Sequence, residues 1–235
     1  IYSTVQIQDL NLQKGDYDKI LEFNKLIKQN CNRLIRLINN FIDSTKLENN
    51  KVEIHKKRVN IVSITEDITM SVINFAKRQK IDVVFDAEQE ELYCDIDIDQ
   101  MERIMLNILS NAIKYNNPNG NIDVIVKDRK EKVYIDVIDS GIGIPKDRIN
   151  TIFDRFERME NKNAVIKEGS GIGLSIVKKL VDALDGEINI ESEVDKGTTV
   201  RLIFKKSKNQ NGIEEVYDIS QHLEEKVNLE MSDIS

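Results

Sequence analysis

The hydrophobic period of this chain changes at Asn50, and no single layer of structure accommodates both halves of the pattern. From Asp16 to Asn49, Ile20, Ile27, Leu34 and Phe41 recur every seven residues, with Asn24, Cys31, Ile38 and Thr45 between them. Leu21, Ile35 and Ile42 widen the stripe beyond a narrow two-stranded seam. This predicts one long helix whose apolar face must be buried, and a four-helix bundle made by dimerisation is one good way to bury it. Ile1 to Leu12 predicts the last turns of a preceding helix, so the chain is expected to open inside a helical hairpin whose upstream part is absent.

After Asn50 the runs are short and of mixed period. Val52–Val59 alternates as a strand does, and Ile61–Lys80 has helical spacing through Ile64, Ile68, Val72 and Phe75. Strands are predicted near Ile81–Phe85 and Leu92–Ile96, then a helix over Asp97–Tyr115. Asn119-Gly120 marks a turn, followed by strands at Ile122–Val126 and Val133–Val137. A loop-rich stretch from Ser140 to Gly171 leads into a helix ending about Asp185, and strands Ile188–Ser192 and Thr199–Phe204 pair across Lys196-Gly197. The fold class is therefore α+β: a two-layer α/β sandwich with a mixed sheet and helices on one face, preceded by the partial hairpin.

Composition removes several function classes. Cys31 and Cys94 are far apart, outside any CxxC or Cys/His cluster, which excludes a disulfide scaffold and a zinc site and suits a reducing compartment. His55 and His222, the two histidines, leave no room for a His-based metal site or triad. No apolar run reaches the ~18 residues of a membrane span. The net charge of −7 is concentrated in Glu214–Ser235, which holds seven acids and one lysine, so residues 1–213 are close to neutral. A basic surplus for nucleic acid or a membrane surface is missing. The spacing of Ile213, Val216, Ile219, Leu223 and Val227 in the acidic tail predicts a short helix, alongside a disordered solvating segment or a docking strip.

Four clusters carry chemistry. Asn107 and Asn111 lie four apart on one helical face, close to Lys114 and Tyr115; a carboxamide oxygen is a neutral hard ligand suited to Mg2+, although a plain amphipathic helix has a similar polar face. Asp139-Ser140-Gly141-Ile142-Gly143-Ile144 follows a hydrophobic strand, where the carboxylate can accept from an exocyclic amine and the glycines admit a flat ligand, or where Asp-Ser-Gly simply makes a turn. Gly169-Ser170-Gly171-Ile172-Gly173-Leu174 precedes an apolar helix whose N–H groups suit an anion; neither a P-loop nor a Rossmann fingerprint matches it. Between the glycine clusters, Phe153 and Phe156 can pin a segment while Arg155 or Arg158 reaches a γ-phosphate.

Taken in order, Asn-x3-Asn-Ala-Ile-Lys-Tyr, Asp-x-Gly-x-Gly-Ile, Ile-Phe-Asp-Arg-Phe, Gly-x-Gly-x-Gly-Leu and Gly197-Thr198-Thr199 resemble the N, G1, F, G2 and terminal Gly-Thr boxes of two-component sensor histidine kinases. The resemblance implies three parts: a partial dimerisation and phosphotransfer hairpin at 1–49, an ATP-binding catalytic domain at 50–206, and an acidic tail at 207–235. It implies ATP and Mg2+ as cofactors, with Asn111 holding the metal. By similarity Asn107, Lys114 and Tyr115 line the phosphate and ribose side. Asp139 takes the adenine amine, with Gly141, Gly143 and Thr198 shaping the base pocket and Ile144 beside them. The Ser140–Ser170 stretch is a lid held by Phe153 and Phe156, with Arg155 or Arg158 at the γ-phosphate. Gly169, Gly171, Gly173 and Leu174 bring a helix start to the phosphates. The implied partners are a second copy, through the hairpin, and a response-regulator receiver domain. The fragment is expected in the cytoplasm and its parent membrane-anchored through upstream segments, with no nucleic-acid partner.

In the related gyrase, chaperone and mismatch-repair ATPases a glutamate stands where this chain has Asn107, and a carboxamide is no general base at neutral pH. The γ-phosphate is thereby reserved for a histidine on the first hairpin helix. His55 follows the long helix in a strand pattern and His222 lies in the tail, so neither has that setting, and the acceptor is expected about two turns upstream of Ile1. The resemblance implies a protein-histidine kinase whose isolated fragment binds Mg-ATP without labelling itself. The alternatives are an ATPase of the same superfamily and a non-catalytic dimerisation module.

Overall fold

The computed structural model describes residues 17–48, 53–154, 171–208 and 220–234. The predicted hairpin turns at Ile1–Leu12 lie outside them. Helix α1 runs Tyr17–Glu48 as the heptad-like pattern requires. Its apolar stripe stays exposed in the single chain, with Leu21 at 61%, Ile38 at 57% and Phe41 at 62%, while Arg36 and Asn40 on another face are buried.

Strand β1 is Lys57–Asn60, shorter than the alternation from Val52 predicts. Its ladder ends where its antiparallel partner ends, because β3 has only Tyr93–Ile96 to offer. Asn60 closes β1 and caps α2 (Ile61–Arg78): its Oδ1 accepts from Val62 N and Leu92 N, both at 3.2 Å. Within α2 the buried Thr65 and Thr69 hydroxyls donate back to the Ile61 and Thr65 carbonyls, which satisfies them in the apolar core. Strand β2 is Asp82–Ala87. Helix α3 is Ile98–Lys114, capped by Asp97, whose Oδ1 accepts from Gln100 N at 3.2 Å and whose Oδ2 accepts from His55 N at 2.8 Å. Asp99 in its first turn and Lys114 in its last both complement the helix dipole.

Strands β4 (Asn121–Arg129) and β5 (Lys132–Asp139) form a hairpin; α4 (Gly173–Ala183) precedes β6 (Glu187–Glu193) and β7 (Gly197–Lys205). The five-stranded sheet has the order β2-β4-β5-β7-β6, with β2–β4 parallel and the other pairs antiparallel. Ile122, Val124, Val126, Val133, Ile135, Val137, Leu202 and Phe204 face one core with α2, α3 and α4, so the helices cover one face of a mixed sheet. On the other face Asp136, itself inaccessible, is held by Arg201 at 2.6 Å and Lys127 at 2.8 Å. Burial alone would push its carboxyl up, but these two cations hold it below its ordinary value.

Within the acidic tail, the described residues 220–234 are helical through Asp233. Helix α5 (Ser220–Glu230) and a 3-10 turn (Met231–Asp233) place Leu223, Val227 and Met231 in the core beside α2 and α3. Cys94 is buried, and burial together with Asp95 pushes its thiol up to about 12, the behaviour of an inert core thiol. No helix among the described residues is long and apolar enough to cross a membrane.

Candidate functional site

The strands put three polar residues in one row at the end of the sheet. Asp139 pairs with Thr198 and Thr198 with Ser192, and antiparallel partners share a face, so all three lie on the helix-covered side with buried Ile122. Asp139 Oδ1 accepts from Gly141 N at 2.8 Å and from Thr198 N at 3.2 Å. Both bonds fall on one oxygen, and Oδ2 accepts none among the described residues. Burial pushes this carboxyl above its ordinary value, with the two N–H groups acting against that rise. A half-buried carboxylate with one oxygen fixed and the other open is a directional acceptor for an N–H donor.

The glycines around it are required by backbone contacts. Gly143 has φ +67°, and a Cβ there would lie 2.0 Å from the Glu193 carbonyl oxygen; Gly197 has φ +100°, and its Cβ would lie 1.9 Å from the Asp139 carbonyl oxygen. The loop after β5 is pinned at three points. Ile142 N donates to Tyr115 O at 3.1 Å, Asp195 N donates to Ile142 O at 2.9 Å, and Ile144 N donates to Ser192 Oγ at 2.8 Å. Ser192 in turn donates to Gly197 O at 2.8 Å and lies 2.9 Å from Thr198 Oγ1. Ser192 belongs to this candidate site although no motif singles it out. Its signal was the inward alternation Ile188, Ile190, Ser192, which placed one hydroxyl among apolar side chains.

The end of α3 forms the second wall. Asn107 is buried, donates Nδ2 to Arg103 O at 2.9 Å, and lies so close to α4 that a Cβ on Gly173 would meet its Oδ1 at 2.6 Å. It supports the start of α4, so the two carboxamides of the Asn-x3-Asn motif have different surroundings. Asn111, one turn on, is half-buried, and its carboxamide bonds to nothing among the described residues. Lys114 is buried, with Nζ 5.3 Å from the centre of the Tyr115 ring. Helix α4 begins after Gly171 (φ +67°) without a side-chain cap, and Leu174 falls in its first turn. A helix start of this kind presents N–H groups and a positive dipole end.

Phe153 packs against the core, as a pin for the preceding turn should. Arg155, Phe156, Arg158 and Gly169 lie outside the described residues. Among the described residues there is no group of three His, Cys, Asp or Glu that could cage a metal. The open carboxamide of Asn111 beside Lys114 fits Mg2+ only as an ion brought with phosphate oxygens and water, the usual mode for this cation.

Comparison with known proteins bears on the fold and the family. Residues 96–208 match the family described as histidine kinase-, DNA gyrase B- and HSP90-like ATPase. The chain is 32% identical over 178 residues to the sensor histidine kinase WalK of Bacillus subtilis, a match covering 74% of this chain and 29% of that protein. It is 33% identical over 178 residues to the signal transduction histidine-protein kinase ArlS of Staphylococcus aureus, covering 75% of this chain and 39% of that one. The chain therefore spans well under half the length of these relatives. Histidine kinase ThkA, solved in complex with the response regulator protein TrrA, has the same fold at a TM-score of 0.60 and 20% identity, over 87% of this chain and 58% of that one.

Proposed function

We propose, from the match of residues 96–208 to the histidine kinase-, DNA gyrase B- and HSP90-like ATPase family, that this chain is the Mg-ATP-binding kinase core of a two-component sensor histidine kinase. The γ-phosphate of ATP passes to a histidine on a dimerisation helix and thence to the receiver domain of a response regulator. The observation that carries this reading is Asp139, with Oδ1 locked by Gly141 and Thr198 and Oδ2 open.

Asp139 accepts from the adenine amine, and Ser192 with Thr198 holds the base-side loop. Lys114 offsets phosphate charge, Asn111 would hold Mg2+, and Gly171–Leu174, leading into α4, face the phosphates. Bound Mg2+ would supply charge neutralisation between phosphate oxygens. Arg155, Arg158 and Phe156 belong to the segment proposed to cover the nucleotide. The protein contributes orientation and fixed charge, which is most of what phosphoryl transfer asks of it. Asn107, packed under Gly173, brings no carboxylate to activate water, which supports transfer over hydrolysis. The exposed stripe of Leu21, Leu34, Ile38 and Phe41 supports a homodimer through α1.

The division at residues 1–49, 50–206 and 207–235 belongs to the same proposal, with membrane anchoring assigned to the parent protein. His55 lies in the non-helical segment before β1, its backbone N–H donating to Asp97 Oδ2, so it is on no helix, which supports an acceptor elsewhere. Incubation with γ-labelled ATP should leave this chain unlabelled and label an added dimerisation hairpin that carries its own histidine. Stable phosphohistidine on the chain alone refutes the missing acceptor, and rapid phosphate release without any acceptor refutes the kinase reading.

A further inference from the structure

The C-terminal segment packs against α1, α2 and α3. Leu223, Val227 and Met231 seat it in the core, and Lys226 Nζ reaches Asp99 Oδ1 at 2.7 Å and the buried Glu102 on α3. Its last turn also grips α1. Arg36 donates Nη1 to the Glu230 carbonyl oxygen at 2.9 Å and lies 3.5 Å from the Glu230 carboxylate, and Gln29 donates to Ser232 O at 3.3 Å. Ser110 of α3 donates to the same Glu230 carbonyl at 3.4 Å. One peptide group thus joins α1 to the helix that carries Asn111 and Lys114.

The charges around this joint are unbalanced. Burial pushes the Glu230 carboxyl up against the pull of Arg36, Arg103 and Lys114, and burial pushes the Arg36 guanidinium down. When desolvation outweighs attraction for both members, a buried ion pair has little net strength, yet removing one member leaves the other uncompensated.

We propose that residues 220–234 are an in-chain latch that clasps α1 to the ATP-binding unit through Arg36 and Glu230, and that anionic phosphates arriving beside Lys114 loosen it. The second half rests on the phosphate role given to Lys114 above. Phosphate at Lys114 draws a cation from Glu230 and adds negative charge near its carboxylate. Linkage makes the effect reciprocal: whatever opens the latch tightens nucleotide.

The test is amide hydrogen exchange of residues 17–48 in the full chain, with and without Mg-ATP, alongside calorimetric ATP titration. Glu230→Gln and Arg36→Ala should each raise exchange in α1 while β5 and β7 keep their protection. Mg-ATP should raise α1 exchange in the unaltered chain, and Glu230→Gln should bind ATP about five-fold more tightly, at the low end of usual coupling. An Arg36→Met/Glu230→Gln double variant, which buries no uncompensated charge, keeps the test open if a single variant does not fold. Unchanged α1 exchange in these variants overturns the latch. Equal ATP affinity in the unaltered chain and Glu230→Gln overturns the coupling alone, whereas no ATP binding by the unaltered chain overturns the Lys114 reading on which that coupling rests.

Discussion

Replacing Asp139 with asparagine isolates one hydrogen bond to the nucleotide. An asparagine in the same rotamer keeps its Oδ1 toward Gly141 N and Thr198 N, which now lie 2.8 and 3.2 Å from the carboxylate oxygen, so the loop retains both tethers. Its Nδ2 then replaces the open Oδ2, and a donor faces the adenine amine. A hydrogen bond to a charged group contributes about 1.5–3 kcal/mol, and each 1.4 kcal/mol is about ten-fold in affinity. Calorimetric titration with Mg-ATP should therefore show affinity weakened by about ten- to hundred-fold, with the fold retained. A second signature is independent of ligand. The folded carboxyl titrates above its ordinary value because of burial, so the folded state binds more protons than the unfolded state between about pH 3.9 and the raised value. Stability of the unaltered chain falls as pH rises through that window, and Asp139→Asn lacks that loss. Affinity within two-fold of the unaltered chain, or parallel stability-versus-pH curves, would refute the role assigned to Asp139.

Three other substitutions separate scaffold from site. Gly143→Ala puts a Cβ in the left-handed region against the Glu193 carbonyl, which costs at least about 1–2 kcal/mol before the clash is counted; thermal melts should fall by several degrees and nucleotide affinity with them, and an unaltered melt refutes the required loop geometry. Ser192→Ala strands the Ile144 N–H, at about 1–3 kcal/mol if it stays buried, and titration should show weaker ATP binding with Asp139 intact; wild-type affinity would remove Ser192 from the site. Asp136→Ala leaves Arg201 and Lys127 without their shared carboxylate and should cost about 2–3 kcal/mol in urea unfolding, below a fully buried pair because both cations keep part of their exposure. Its pH dependence runs opposite to that of Asp139: the stabilisation is present above about pH 3.9 and disappears as pH falls through the depressed folded value. ATP affinity should not change, since Asp136 is on the far face of the sheet.

What could be read from the residues alone follows the range over which each contact acts. Helix α3 was legible to within a residue because its caps and its apolar period are local: Asp97 bonds to Gln100, and Met101, Ile104, Met105 and Ile108 recur on one face. The sheet strands after it extend beyond their apolar alternation, since Lys127, Asp128, Arg129 and Asp139 are polar yet stay paired in a hairpin whose outer face carries the Asp136–Lys127–Arg201 network. Strand β1 is shorter than its alternation for the converse reason: the pattern continues past the end of the partner that would pair it. The Asn-x3-Asn motif was visible, but helical spacing alone gave both carboxamides one environment. The approach of Gly173, 66 positions along, buries Asn107 and spares Asn111. The joint between Arg36 and Glu230 spans 194 residues, and neither residue has a local pattern pointing to the other. An acidic tail reads as solvated because charge is local and burial is not. Leu223, Val227 and Met231 outweigh that composition once a groove exists to receive them. This makes α5 the element whose removal should most alter how α1 sits against the ATP-binding unit.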